Sequence, residues 1–362
     1  MGGKDGRVDI GIIGYGYISP LHAEALMMAS EVNLVAVADP DPARLKLAQE
    51  QNPGVALYKS HRDLLAHPGL QAVDICVPHF LHPEVTEAAA EAGKHVQCEK
   101  PMALTLQGCD RMIDACGGAD VKLSIIGHRR FYPAFQAIRK AVDAGLFGSI
   151  VSASAYKKWW RPPEFYAPGS WRSRKELTGG RCMLGKGIHS IDLLNWFVGP
   201  IESIFGFAER RFHDINMEDV ASAVVRYTSG AVGGIEVSTC TRAPQLDRLE
   251  IHGTKGSVIV EGLDVTVWKF EGDSRDPSSF PRRNQLYAQP GAQSAAAYTT
   301  TMEKVPGMAE GFTEQARDFA RAIADDRAPC CDGRQGRQAV EAVLAFYRSA
   351  ATRMPVALPF SP

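Results

Sequence analysis

The chain has 362 residues, enough for two domains with a large buried core. Its 40 basic and 41 acidic side chains leave a net charge of −1 without any basic tract, which argues against nucleic acid or an anionic membrane surface as a partner. No apolar run is long enough to span a bilayer, and Met1-Gly2-Gly3-Lys4-Asp5 opens no signal-peptide core, so a cytoplasmic protein is expected.

In chain order, Val8-Asp9-Ile10-Gly11-Ile12-Ile13 predicts a buried strand, followed by the turn Gly14-Tyr15-Gly16-Tyr17-Ile18-Ser19 and a helix. A second apolar strand, Val32 to Ala38, ends on Asp39. Gly14 suits a tight turn, and Gly16 lets a pyrophosphate approach main-chain N–H groups at a helix N-terminus, with Tyr17 and Ile18 alongside. Ser19 replaces the third glycine of this fingerprint and is small enough for close helix–strand packing. Asp39 follows at about the interval of the acid that binds an adenine ribose, so NAD is the expected cofactor. A carboxylate there repels a 2′-phosphate; nearby Arg44 leaves NADP open.

A helix over Pro42 to Gln51, a strand over Val55 to Tyr58 and helical residues from His61 to Ala66 come next. The strand Ala72 to Val77 ends on Pro78, a helix runs from His82 to Ala92, and the strand His95 to Cys98 leads into Glu99-Lys100-Pro101. A helix over Thr105 to Cys116 and a strand over Lys122 to Ile126 complete the alternation, which means a doubly wound parallel sheet. Ligands of such sheets sit beyond the carboxyl ends of the strands, where Pro78, His79 and Glu99-Lys100-Pro101 fall. These residues and His82 are therefore candidate cofactor contacts.

After Gly127 the pattern changes. A helix over Pro133 to Ala144, a strand over Ser149 to Lys157, a polar aromatic loop from Trp159 to Thr178 and a helix over Lys186 to Val198 precede short strands without helices from Ile201 to Lys269. That succession predicts a mostly antiparallel sheet. Asp273 to Gly307 reads as a long surface loop, followed by helices over Gly311 to Ala324 and Arg334 to Ala351 and a tail at Val356 to Leu358. The expected class is α/β: a dinucleotide-binding domain over residues 1–126 and an α+β domain over 127–362.

Eight cysteines are scattered without a CxxC pair, and no histidine or acid spacing suggests a metal. Cys76 and Cys98 read as buried small hydrophobes, and Cys330-Cys331 as a chance pair. Lys100, at a strand end beside the rigid Pro101, is a candidate to take a hydroxyl proton while hydride leaves the adjoining carbon; a surface lysine paired with Glu99 is the other reading. His189, with Gly187 before it and Asp192 on the same helix face, is a second candidate, against a packed core histidine. The glycines at 179, 180 and 187 would let a substrate approach the backbone. Trp159, Arg161, Tyr166, Trp171 and Arg172 supply aromatic faces and hydrogen-bond donors that suit a sugar, or else pack domains together. His22 either faces the cofactor or caps its helix, and His82 either contacts the cofactor or begins the next helix.

Taken in order, these motifs resemble the Gfo/Idh/MocA family of nicotinamide-dependent oxidoreductases. They are Gly14-x-Gly16-x-x-Ser19-x-x-His22, Asp39-Pro40-Asp41, Pro78-x-x-x-His82, Glu99-Lys100-Pro101, Gly179-Gly180, Gly187-x-His189-x-x-Asp192, and Asp332-Gly333-Arg334 with the helix beyond. The resemblance implies a Rossmann domain, then a domain whose open, mostly antiparallel sheet builds homodimers or homotetramers. It implies Lys100 and His189 at the reacting carbinol of a sugar or cyclitol. Relatives that keep the cofactor bound through a redox-neutral conversion, or that have become sensors, are the alternatives. Two departures stand out. Gly185 lies where many members carry an aspartate that assists proton transfer, and Arg181 replaces a glycine. With Lys186, Arg161 and Arg172, Arg181 favours a carboxylated or phosphorylated substrate, unless it folds outward into solvent.

Overall fold

A computed structural model describes residues 6–166, 171–272, 275–280 and 309–360. Residue contacts divide the chain into two compact units. One holds the chain up to Phe131 with a C-terminal stretch ending at Arg337; the other runs from Tyr132 and resumes at Gln338.

The first unit alternates β1 (Val8–Ile13), α1 (Ser19–Met28), β2 (Val32–Ala38), α2 (Pro42–Gln51), β3 (Ala56–Tyr58), α3 (His61–Leu65), β4 (Ala72–Ile75), α4 (His82–Glu91), β5 (His95–Cys98), α5 (Leu106–Gly118) and β6 (Leu123–Ile125). The strands form a parallel sheet in the order β3-β2-β1-β4-β5-β6. Strands covered on both faces require apolar side chains at successive positions, and Ile12, Val37, Val73, Ile75 and Val96 are all fully buried. The order reverses between β1 and β4, so the crevice for a ligand opens beyond their carboxyl ends. The glycine turn follows β1 at this place.

The second unit begins with α6 (Pro133–Asp143) and β7 (Ile150–Lys158). The predicted loop after Trp159 contains short helical turns at Pro163–Tyr166 and Trp171–Ser173 and α7 (Lys175–Thr178); residues 167–170 lie outside the described residues. A π-helical turn, Met183–Gly187, feeds α8 (Ile188–Val198), so the helix expected from Lys186 has an irregular first turn. β8 (Ile201–Glu209), β9 (Val220–Tyr227), β10 (Val232–Ser238), β11 (Arg248–Gly253), β12 (Gly256–Glu261) and β13 (Asp264–Phe270) follow. The expected loop after Asp273 falls mostly outside the described residues, apart from Arg275–Phe280 with its turn at Pro277–Ser279.

α9 (Ala309–Ala324), α10 (Gly333–Thr352) and β14 (Val356–Ala357) close the chain. The eight-stranded sheet runs β13-β12-β11-β7-β10-β9-β8-β14, antiparallel except where β7 meets β10. Along β9, Ala221, Ala223, Val225 and Tyr227 are buried while Ser222, Val224 and Arg226 are exposed. The alternation leaves one face of the sheet open. α9 falls after residue 126 in the chain yet belongs to the first unit: Ala316 and Phe319 join a core with Ala23 and Leu26, and Arg321 pairs with Glu31 at 2.6 Å.

Candidate active site

The turn after β1 is built to one conformation. Gly14 has φ +88°, and a Cβ there would meet the Cys76 carbonyl oxygen at 2.9 Å, so two constraints demand glycine. The buried Ser19 is more than a small residue, because its hydroxyl donates to the Gly14 carbonyl at 2.7 Å and closes the turn. Tyr15 anchors the outer side: its phenol donates to Gln51 at 2.9 Å and accepts from Asn52 at 2.8 Å. Its backbone N–H donates to Asp39 at 2.7 Å, and the other Asp39 oxygen accepts from the Asp41 N–H at 2.9 Å. The carboxylate at the end of β2 is thereby fixed against the turn. Nothing stands within 4 Å of a Cβ built at Gly16, while Tyr17 and Ile18 beside it are half-buried. Open space before the N-terminus of α1, with an acid fixed alongside, fits the pyrophosphate and ribose of a dinucleotide.

The ends of β4 and β5 converge on His22 of α1. His22 neither caps the helix nor faces outward: it is 1% exposed. Its Nδ1 lies 2.8 Å from Asp74 in β4, and its Nε2 lies 3.1 Å from Glu99 after β5. Burial, the largest single influence, opposes charge on the ring, but Asp74 and Cys76 together outweigh it and hold the His22 pKa well above the ordinary histidine value. Burial likewise pushes Glu99 up, yet the His22 hydrogen bond and the Lys100 charge bring its pKa down to about 2. Asp74, His22 and Glu99 thus form a buried carboxylate–imidazolium–carboxylate row. The second Glu99 oxygen accepts the Lys100 N–H at 2.9 Å, which fixes the backbone of the lysine, itself half-buried. His82 is buried as the first residue of α4, its ring nitrogens 2.8 Å from the Pro101 carbonyl and 3.1 Å from that of Val77. Burial holds it neutral, so it donates one of these bonds at a time and braces the Glu99-Lys100-Pro101 turn from behind. Pro78 and the half-buried His79 lie in the short helical turn between β4 and α4. His22, Asp74 and Cys76 have potential ligand atoms within 4.8 Å of one another. The His22–Asp74 spacing is that of a hydrogen bond, and we assign no metal.

In the second unit, buried Glu218 organises the segment before His189. It accepts the backbone N–H groups of Arg181 and Met183, each at 3.0 Å, and the Tyr347 hydroxyl at 2.6 Å. Tyr347 in turn accepts the Leu184 N–H at 3.2 Å. The glycines have a different purpose from the one expected. A Cβ at Gly180 would run into the Tyr347 phenol, and one at Gly187 would meet Met183 Sδ at 2.6 Å and Val237 at 3.0 Å. They make room for the protein's own side chains. His189 and Asp192 are both half-buried, one turn apart on α8.

Arg181 does not fold outward. It is buried, its Nε donating to the Tyr166 hydroxyl at 3.2 Å and its guanidinium lying 4.8 Å from the Phe165 ring centre and 5.0 Å from that of Tyr166. Arg161 sits between Trp159 (5.1 Å) and Phe165 (5.0 Å), Arg172 lies over Trp171 (5.1 Å) and Phe165 (5.6 Å), and Lys186 lies over Trp159 at 4.6 Å. The Trp159 indole donates to Asp247 at 2.6 Å, and Asp247 also pairs with Lys157. Every predicted residue of the aromatic loop therefore belongs to one cation–aromatic cluster. Glu218, Asp247 and Tyr347, which hold it, come from distant parts of the chain and carry no local signal. Asp74 did carry one, as an acid interrupting the apolar run Ala72 to Val77.

Fold and turn define a nicotinamide-dinucleotide oxidoreductase. The Rossmann-fold, NAD-binding profile of the GFO/IDH/MocA oxidoreductases matches residues 8–126, and the family's C-terminal domain matches residues 135–259. The chain belongs to this family, and NAD is its cofactor. It is similar to the levoglucosan dehydrogenase of Pseudarthrobacter phenanthrenivorans, at 27% identity over 88% of this chain and 90% of that one. The myo-inositol 2-dehydrogenase of Thermotoga maritima is 27% identical over 96% and 98% of the two chains. The WlbA dehydrogenase of Bordetella pertussis, crystallised with NADH and UDP-GlcNAcA, superposes with a TM-score of 0.83 at 29% identity, over 98% of this chain and all of that one.

Proposed function

We propose that the protein oxidises a secondary alcohol of a sugar or cyclitol with NAD, reversibly, and that Lys100 and His189 handle the alcohol proton. The observation that carries this reading is the turn at Gly14 and Gly16, fixed to Asp39, in the same unit as a lysine whose backbone is locked by Glu99. The dehydrogenases of levoglucosan and myo-inositol among its relatives support the substrate class. When bound, the nicotinamide supplies the hydride acceptor. The chain's own residues do the rest: Lys100 takes the hydroxyl proton as the C–H hydride leaves, and His189, one turn from Asp192 on α8, is the second proton-handling group. Gly14, Gly16, Tyr17, Ile18, Asp39, Pro78, His79 and Lys100 contact the cofactor. Glu99 and His82 act through the turn they hold. Trp159, Arg161, Tyr166, Trp171, Arg172 and Lys186 line the substrate side. Residues 1–126, with α9 packed against them, are the dinucleotide-binding domain, and the second unit within residues 127–362 binds substrate and forms the oligomer.

NADH formation with NAD and a panel of inositols, aldoses and sugar acids tests this. A Lys100→Met enzyme that still binds NADH loses turnover by about 10²–10⁴-fold; full turnover in that variant removes Lys100 from the chemistry. We further propose a homodimer or homotetramer paired through the open sheet face, supported by exposed Phe207, Val224 and Val232 on neighbouring strands. Light scattering of a Val224→Asp variant, expected to be a monomer, tests the pairing. No helix among the described residues is long and apolar enough to cross a membrane; we place the enzyme in the cytoplasm.

A further inference from the structure

From Lys157 to Lys186 the chain carries eight Lys and Arg residues against two Glu, a surplus of six positive charges in a protein whose total is −1. Asp247 pairs with Lys157, Glu236 lies 3.3 Å from Lys158, and Glu176 takes Arg174 at 2.7 Å. Arg161, Arg172, Arg181 and Lys186 also lie against aromatic rings. Arg161, Arg172 and Arg181 share Phe165, and Lys186 shares Trp159 with Arg161. An aromatic face attracts a cation through its ring quadrupole, and it holds the guanidinium of Arg181 in place without using a carboxylate to do so. Buried Glu218 accepts the Arg181 and Met183 backbone N–H groups and the Tyr347 hydroxyl.

One position turns this charge into a recognition site. A Cβ at the buried Gly185 would have a single neighbour within 4 Å, Arg181 Nη1 at 3.9 Å. The glycine leaves room beside a guanidinium that is itself immobilised by Tyr166, Phe165 and the Glu218-anchored backbone. His189 follows Gly185 by four residues, about one helical turn, or roughly 6 Å. An anionic substituent seated at Gly185 would thus be paired with Arg181 while a hydroxyl across the same ring reaches His189.

We infer that the substrate is an acidic sugar or cyclitol, bearing a carboxylate or a phosphate that Arg181 binds beside Gly185. This rests on the dehydrogenase reading for the reaction but not for the binding. The planar fork of Arg181 suits either anion.

The test measures binding and turnover separately on the full-length protein with NADH or NAD. The ligands are matched sets: glucose, glucuronate and glucose 6-phosphate; galactose, galacturonate and galactose 6-phosphate; and UDP-linked N-acetylglucosamine with its uronic acid. Calorimetry on the NADH-loaded enzyme is expected to show one acidic member binding at least about tenfold tighter than its neutral parent. The carboxylate and phosphate arms identify which anion is preferred. That preference is expected to fall about tenfold in Arg181→Met and also in Gly185→Asp, whose carboxylate would take the guanidinium for itself. Arg181→Lys retains part of it. Circular dichroism checks that each variant is folded, and Gly185→Asp removes no side chain. Neutral parents that bind as tightly as every acid, or a preference unchanged in both Arg181→Met and Gly185→Asp, would overturn the inference. Acid-selective binding without NADH formation would overturn the dehydrogenase reading and support this one.

Discussion

Replacing His22 by Gln tests the buried charge row that fixes Glu99. Glutamine is close to the ring in reach and still donates an N–H, but it never carries charge. His22 lies 2.8 Å from Asp74 and 3.1 Å from Glu99, with all three buried, so the substitution leaves two carboxylates facing each other without their cation. Removing one partner of a buried pair costs about 3–5 kcal/mol. In a unit of this size that corresponds to a fall of roughly 6–20 °C in Tm. The pH dependence identifies the cause. His22 is raised in the folded protein, so its contribution is complete below an unfolded value of about 6.5 and is lost as pH rises through the folded one. Glu99 is depressed from 4.5 to about 2, so its contribution of about 3 kcal/mol is present above pH 4.5 and lost as pH falls through 2. In the variant Glu99 has lost the cation that helps depress it and takes up its proton at a higher pH, so the deficit against wild type shrinks as pH is lowered from 7 to 4. Urea denaturation followed by far-ultraviolet circular dichroism, with hydrogen exchange of β4 and β5, measures this. Trp159, Trp160, Trp171, Trp196 and Trp268 all lie in the second unit, so hydrogen exchange is the direct readout for this one. A loss below about 1 kcal/mol at pH 7, or an equal loss at both pH values, refutes the charge-row argument.

Three further outcomes follow from the same geometry. Gly14→Ala forces a side chain into φ +88° and against the Cys76 carbonyl, and is expected to cost about 2–3 kcal/mol and weaken NADH binding, read by denaturation and by NADH fluorescence titration. Asp39→Ala frees the Tyr15 N–H and removes the carboxylate that repels a 2′-phosphate; the NADP-to-NAD ratio of kcat/KM is expected to rise at least about tenfold, and a ratio unchanged within twofold removes Asp39 as the discriminator. Tyr347→Phe takes one donor from buried Glu218 and leaves the Leu184 N–H unpaired, at about 1.5–3 kcal/mol, here visible by tryptophan fluorescence because the change lies in the second unit.

Much of the fold was legible because it is written in short repeats. Strand–helix alternation up to Ile126 and period-two patterning such as that of Ala221 to Tyr227 are local signals, and they correspond to the parallel and the antiparallel sheet. The glycine turn was legible for the same reason. What sequence spacing hides is partnership over distance. Glu218 meets Arg181 from 37 residues away and Tyr347 from 129, and His22 meets Glu99 from 77. Gly180 and Gly187 illustrate the converse error: a glycine near a site suggests room for a ligand, whereas here the room is filled by Tyr347 and Met183. Only the neighbour tells these apart.

Those distant partners also explain how each unit holds its reactive segment still. A flexible lysine or histidine loses positional precision through its backbone before it does so through its side chain. In the first unit Glu99 takes the Lys100 N–H, and His22 stops that carboxylate from turning away. In the second, Glu218 takes two N–H groups of the turn leading to His189, and Tyr347 stops it from turning away. Each is a buried carboxylate spent on main-chain donors and restrained by a second side chain. Burying a carboxylate is costly, and a surface acid would bind the same N–H groups at less expense. What burial adds is a fixed direction: the acid has no water to rotate toward, so the backbone it grips has one position. The candidate proton-handling residues sit beside these two grips, and Arg181 supplies one of the N–H groups held by the second. A substitution at the Arg181 side chain therefore keeps the main-chain bond to Glu218 that holds the turn leading to His189.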